Sequence, residues 1–131
     1  MGPAARHRVR LGSREVQVGV LGAAGLIALE EMPKRLGEDH ENARLLASGL
    51  GRLAGVRVTA PQTNIVIFDV ADTGVPAAEV SARLKERGII INPVTSNGTA
   101  LRAVTHYDVD RAGCEKAAEA VAQIVGSAVA A

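Results

Sequence analysis

The stretch Asn64–Val70, read as Asn-Ile-Val-Ile-Phe-Asp-Val, decides the fold class of this sequence. Its apolar run from Ile65 to Phe68 is continuous and is bounded by polar and turn residues. A short continuous apolar run of this kind is typical of a strand that is covered on both faces. The run therefore predicts the central strand of a sheet, and the segments around it have to supply the neighbouring strands.

Three further segments are predicted to be strands. Val56–Thr59 alternates in the manner of a half-buried edge strand, and Ile89–Ile91 is predicted to be a short buried strand. Leu101–His106 alternates as well, so its side chains fall on two faces of the sheet. One face carries Leu101, Ala103 and Thr105, and the other carries Arg102, Val104 and His106.

The remaining segments have helical patterns. The first, about 15–31, is crowded with Gly and Ala and is apolar on nearly all sides, which indicates a buried or interface position. A second helix begins near Pro33, a third covers Pro76–Arg87 with Gly88 as its C-terminal cap, and Asp108 or Asp110 caps the last. The order α-α-β-β-α-β-β-α predicts an α+β fold, with helices on one face of a small, mostly antiparallel sheet of three to four strands.

The chain has 131 residues and a formal net charge of +1, which by default means one domain. We divide it into a basic entry segment (1–14), a single small domain (15–126) and a frayed tail (127–131). The entry segment contains Arg6, Arg8, Arg10 and Arg14. This pattern is compatible with a transit peptide, with a strip that faces an anion, or with a solvated or interface-facing chain entry.

Composition and spacing exclude several classes of function. Only 2% of the residues are aromatic, which argues against a nucleic-acid partner bound by base stacking. The most apolar run, Val18–Leu29, is too short to span a membrane. The spacing of His, Cys and carboxylates forms no metal site. Cys114 is predicted to be a small buried hydrophobe, and a single cysteine favours a reducing, cytoplasmic location.

The most informative candidate for chemistry is Arg102 in the strand Leu101–His106. The planar guanidinium can bind a carboxylate or a phosphate through two parallel hydrogen bonds. The alternative is a structural ion pair with an acid such as Asp69. His106, on the same face, is predicted to be a turn or capping histidine.

Three segments share a pattern with one enzyme family, in the same order and at matching spacing from about Gly12 to Val125. These segments are Gly19–Leu29 followed by Arg35–His40, then Thr63–Val66, then Leu101–His106 followed by Asp108 and Val109. Together they resemble the C-terminal small domain of the pyridoxal-phosphate-dependent threonine aldolases, which belong to the β-eliminating lyase superfamily of fold type I.

The resemblance implies that Arg102 binds the α-carboxylate of an amino-acid substrate. It implies pyridoxal phosphate as the cofactor and the cleavage of a β-hydroxy amino acid into glycine and an aldehyde. It also implies that a larger cofactor-binding domain precedes this region in the family, and that the imine-forming lysine lies in that domain. The lysines of this chain are Lys34, Lys85 and Lys116, all on polar helix faces.

One segment departs from the family pattern just before the small-residue helix. Gln17 matches the family, whereas Val16 stands where the family has an arginine. Arg14 and Gln17 are therefore candidates for a contact with the cofactor phosphate or with an interface, and no catalytic or metal-binding residue is assigned. We expect the chain alone to be inactive as an aldolase. The alternative is a non-catalytic binding or oligomerisation module in which helix 15–31 contacts a second copy or a partner domain.

Overall fold

The computed structural model describes residues 19–94 and 98–129, with side chains described as far as 126. These residues form two compact units, 19–35 and 36–129. The entry segment 1–14, which includes Arg14, lies outside the described residues, and so do Val16 and Gln17. The helices of the described part are α1 (Gly19–Glu30), α2 (Met32–Leu50), α3 (Ala77–Glu86) and α4 (Arg111–Val129), and a short 3-10 helix covers Ala71–Thr73.

The sheet confirms the predicted fold class. Its strands are β1 (Arg57–Thr59), β2 (Ile65–Asp69), β3 (Asn92–Pro93) and β4 (Ala100–Val104). Their spatial order is β1-β2-β4-β3, and every neighbouring pair is antiparallel. The element order along the chain is the predicted one, and β2 is an inner strand, as its apolar composition indicates.

One face of the sheet forms the core of the second unit together with the helices. Val66 and Phe68 of β2 and Leu101 and Ala103 of β4 point to this face and are buried. The alternating residues of β4 therefore lie on the faces that the sequence predicts. The helices contribute the largest of the other fully buried side chains, Leu50, Leu84, Val121 and Ile124.

The prediction that β2 is covered on both faces is wrong. Ile65 and Ile67 are 42% and 40% exposed, so β2 alternates between a buried and an open face. A continuous apolar run shows that both faces of a strand can contact apolar groups. It does not show that this unit also supplies the layer that would cover the second face. The open face carries the candidate site described below.

The predicted strand Ile89–Ile91 is also misplaced, because the strand is Asn92–Pro93. Gly88 ends α3 as predicted: at a φ of +75° its N–H bonds the carbonyl of Lys85, and the Ile89 N–H bonds that of Leu84. This paired capping pattern uses the chain directly after the helix for the cap. The sheet therefore begins only at Asn92, and Ile90 is left 76% exposed.

Helix α4 begins at the cap that the sequence suggests. The side chain of Asp110 accepts the Gly113 N–H at 2.7 Å, so Asp110 rather than Asp108 is the capping residue. Cys114 follows in the first turns and is buried, as predicted. Burial, with a smaller contribution from Asp110 and Glu115, raises the pKa of the Cys114 thiol, which is the opposite of what a nucleophilic cysteine needs.

Helix α1 has no buried residue, although it is almost wholly apolar. Val20, Leu21, Leu26, Ile27 and Leu29 are each more than half exposed. A helix that is apolar on all sides is normally covered by other protein. Within residues 19–94 and 98–129, no helix is long and apolar enough to cross a membrane.

Candidate functional site

Arg102 lies at the centre of β4 on the open face of the sheet. In the register, Ile67 of β2 is directly opposite on one side and Asn92 of β3 on the other. The residue is exposed, whereas Leu101 and Ala103 on either side of it are buried. The alternation of the strand therefore explains why an arginine stands in an otherwise apolar segment.

The hydrogen-bond pattern places Arg102 close to Ile67. The Val70 N–H bonds the Thr99 carbonyl at 3.0 Å, and the Thr105 N–H bonds the Asn64 carbonyl at 2.9 Å. Hydrogen-bonded and non-hydrogen-bonded pairs alternate along an antiparallel ladder, so the pair Ile67 and Arg102 is of the second kind. Side chains are closest in such pairs. The aliphatic stem of the arginine thus has an apolar neighbour.

The surroundings of the guanidinium toward β2 are largely apolar, and no counter-ion among the described residues contacts it. Ile65 and Val104 face each other in the next row of the same face, and both are about 40% exposed. Within the described part of the chain, no hydrogen bond or ion pair involves the Arg102 side chain. A guanidinium has five N–H donors in a fork that matches a carboxylate. As far as the described residues go, the open face therefore presents a cation without an ion-pair partner and with its donors available.

The alternative in which Arg102 pairs with Asp69 is wrong. The Asp69 carboxylate accepts the Ala71 N–H at 2.8 Å and the Thr99 hydroxyl at 2.8 Å. Its nearest cation is Arg57 of β1, with a nitrogen–oxygen distance of 4.0 Å. The register explains this, because Asp69 is directly opposite Arg57 and Ala100 rather than Arg102.

These bonds give Asp69 a pH dependence that can be tested. The Ala71 N–H, then the Thr99 hydroxyl, and last the charge of Arg57 lower the pKa of the carboxyl from its ordinary 3.8. A lowered folded-state pKa adds stability that is complete above 3.8 and is lost as the pH falls through the lower value. We expect Asp69→Asn to be less stable than wild type in urea at pH 7 and to lose less stability on acidification to about pH 2.5.

The neighbouring exposed Asp72 offers a matched control for this measurement. It forms an exposed ion pair with Arg57 at 3.5 Å, and such pairs contribute little to stability, so Asp72→Asn should keep the wild-type stability in urea at pH 7. If Asp69→Asn lost as much stability on acidification as wild type, the bonds to Ala71 and Thr99 would not stabilise the ionised carboxylate.

Buried polar contacts hold the ends of β2 and β4 in place. The fully buried Thr105 hydroxyl donates to the Asp39 carbonyl of α2 at 2.6 Å, and the Asn64 amide donates to the Thr105 carbonyl at 2.7 Å. A second amide, Asn42, donates to the Val109 carbonyl at 3.0 Å. Sequence reasoning assigned no role to these residues. The sequence feature that could have pointed to them is that Asn64 and Thr105 both fall inside the segments that resemble the lyase family.

The other sequence candidates do not join Arg102. His106 is exposed, and its Nδ1 accepts the Asp108 N–H at 3.3 Å, so it is the turn histidine that the sequence predicts. In the described residues, no group of three or more His, Cys, Asp or Glu side chains could hold a metal ion. Arg14 and Gln17 lie outside the described residues, so their contacts stay predictions.

The lysines of the chain do not form a site for a cofactor imine. Lys34, Lys85 and Lys116 are all exposed on helices, and Lys34 bonds Glu31 at 2.7 Å. A lysine that forms an imine needs a desolvated setting that lowers its pKa. The described residues therefore fit the binding of a carboxylate, and they do not fit the covalent attachment of an aldehyde cofactor.

Several known proteins share sequence or fold with this chain. A family model described as beta-eliminating lyase matches residues 2–73. Low-specificity L-threonine aldolase 1 of Arabidopsis thaliana is 37% identical over 105 residues, which is 78% of this chain and 29% of the relative. Low specificity L-threonine aldolase of Escherichia coli K12 is 38% identical over 108 residues, 82% of this chain and 30% of the relative. This chain thus spans less than a third of the length of either relative.

A solved structure shows the same fold. A cystine C–S lyase in complex with its product cysteine persulfide superposes with a TM-score of 0.66 at 23% identity, over 79% of this chain and 28% of the other. At that identity the match concerns the arrangement of helices and strands.

Proposed function

Because this chain belongs to the beta-eliminating lyase family, we propose that it forms the substrate-carboxylate site of a pyridoxal-phosphate-dependent lyase. The proposed reaction cleaves β-hydroxy amino acids such as threonine into glycine and an aldehyde. The observation that supports this proposal is Arg102, which lies on the open face of the sheet and pairs with none of the described residues. The names of the Arabidopsis and E. coli relatives support the substrate class.

The geometry suits an α-amino acid bound by its carboxylate. Two parallel N–H···O bonds from one guanidinium align a carboxylate with the plane of the guanidinium. Ile65, Ile67 and Val104 leave the neighbouring surface apolar, so a covering protein layer would exclude water from it. An ion pair is stronger in such a dry setting than on a wet surface. The chain's own contribution is therefore to bind and orient the substrate.

Pyridoxal phosphate supplies the electron sink of such a reaction when it is bound. None of the three exposed lysines has the desolvated setting that an imine-forming lysine needs. We accordingly expect the 131-residue chain alone to show no threonine cleavage. Arg14 and Gln17 remain our candidates for a phosphate or interface contact, and the single buried Cys114 supports a cytoplasmic location.

A hybrid enzyme tests the proposal. The matching segment of the E. coli threonine aldolase, which is 38% identical over 108 residues, is replaced by this chain. We expect the hybrid to release glycine and acetaldehyde from threonine, measured by coupled reduction of the aldehyde. A hybrid that folds, binds the cofactor and leaves threonine intact would count against the proposed substrate. The chain and the remaining segment assayed separately serve as controls.

We also propose that α1 contacts a second copy of this chain. Its support is the apolar helix without a buried residue. We expect the purified chain to exceed the monomer mass in light scattering, and Leu21→Glu with Ile27→Glu to restore the monomer, because buried carboxylates disfavour the contact. Arg44→Glu on the exposed side of α2 is the charge control. A wild-type chain that stays monomeric at high concentration contradicts the proposed contact.

A further inference from the structure

The two-residue strand β3 places Asn92 directly opposite Arg102. Directly opposed residues of antiparallel strands share a face, with their Cβ atoms about 4.5–5.5 Å apart. Asn92 is exposed and lies on the side of Arg102 that is away from Ile67. Within the described residues, the Asn92 carboxamide, like the guanidinium, has no hydrogen-bond partner.

The backbone at Asn92 is held from both sides, although its side chain is not. The Ser81 hydroxyl donates to the Ile91 carbonyl at 2.7 Å, and the Val94 N–H donates to the Ala100 carbonyl at 2.7 Å. Pro93 follows Asn92, and a residue before proline is restricted to extended conformations. The direction of the Asn92 side chain is therefore set by the scaffold rather than by a bond of its own.

A carboxamide beside an unpaired guanidinium has a defined chemical use. A carboxylate has about four lone-pair sites, and a bidentate bond to arginine occupies only two of them. The Nδ2 group of Asn92 can donate to one of the remaining sites. A neutral donor adds a bond to the anion, whereas an acidic side chain here would compete with the anion for Arg102.

Building on the proposed function, we propose that Asn92 is a second ligand of the substrate carboxylate, donating from Nδ2 while Arg102 binds the two oxygens. The guanidinium sits at the end of a flexible side chain, so Arg102 alone leaves the orientation of the bound anion variable. A donor on the adjacent strand removes that freedom. Asn92 thereby restricts the site to planar carboxylates that reach both strands.

The test follows the side-chain resonances of the full ¹⁵N-labelled chain during titration with sodium acetate, with sodium chloride at equal ionic strength as reference. We expect Arg102 Nε and Asn92 Nδ2 to shift with one common dissociation constant. Asn92→Ala should raise that constant about five- to tenfold for Arg102. Asn92→Asp should abolish saturable binding, because its carboxylate occupies the guanidinium. Thr59→Ala, in the same cross-strand row but beyond Ile67, should leave the constant unchanged.

The outcomes separate this inference from the proposed function. If Arg102 shifts while Asn92 does not, or if Asn92→Ala leaves the constant unchanged, the role of Asn92 is overturned and the role of Arg102 stands. If wild-type Arg102 shows no saturable shift with acetate, both are overturned. The wild-type titration needs no variant, so the test does not depend on the folding of Asn92→Ala.

Discussion

Replacing Arg102 by alanine is expected to lower kcat/KM of the hybrid enzyme for threonine by about 10²–10³-fold, because a desolvated bidentate ion pair is lost. The residue lies on an exposed face, so the fold should persist. Arg102→Lys keeps the charge but not the fork, and we expect an intermediate loss. Steady-state kinetics of the purified hybrids, with the cofactor spectrum recorded for each, measure these effects.

The matched control is Arg57→Ala, since Arg57 lies on the same face but two strands away and is 69% exposed. Its loss should change kcat/KM less than about twofold. Equal losses for the two variants would mean that the sheet face acts through its general positive charge. In that case Arg102 would not be the carboxylate ligand.

The second large effect is on stability. Phe68→Ala should lower the free energy of unfolding by about 3–5 kcal/mol, because it opens a cavity where the largest side chain of the core is buried. Ile67→Ala, one residue away on the open face, should cost about 1 kcal/mol or less, since its side chain is already 40% exposed. Urea unfolding of the full chain carrying each substitution measures both free energies.

Similar losses for the two variants of β2 would contradict the open face. They would show that Ile67 is covered in solution, for example by a second copy of the chain. Repeating the urea series at several protein concentrations separates the cases, because stability that depends on association rises with concentration.

The sequence predicts which elements form but not how they are covered. Alternation in Leu101–His106 correctly assigns Arg102 to the face opposite Leu101, because the side-chain period of a strand is two. The run Ile65–Phe68 has no alternation, so composition could not show that one of its faces is open. The missing information is the number of layers, which is a property of the whole assembly rather than of the strand.

The partner of Arg102 depends on register, which no single segment contains. An ion pair with Asp69 is chemically reasonable, yet the antiparallel register sets Asp69 opposite Arg57 and Ala100, where it accepts the Thr99 hydroxyl instead. The same register brings Asn92 next to Arg102 from a segment in which sequence reasoning assigned it no role. The site therefore follows from pairing between distant strands, whereas its central arginine was visible in the local pattern.

The short strand β3 also has a consequence for self-association. The Val94 N–H bonds the Ala100 carbonyl of β4, and alternate residues of a strand direct their backbone groups to opposite sides. The backbone groups of Ile91 and Pro93 therefore point away from β4. Pro93 has no N–H to offer, and the Ile91 carbonyl is already bonded to Ser81. An outer edge without these groups is a poor template for a further strand, which is how natural sheets avoid growing into fibrils. The chain can thus expose an apolar sheet face for docking while the outer edge of β3 is poorly suited to pairing with another strand.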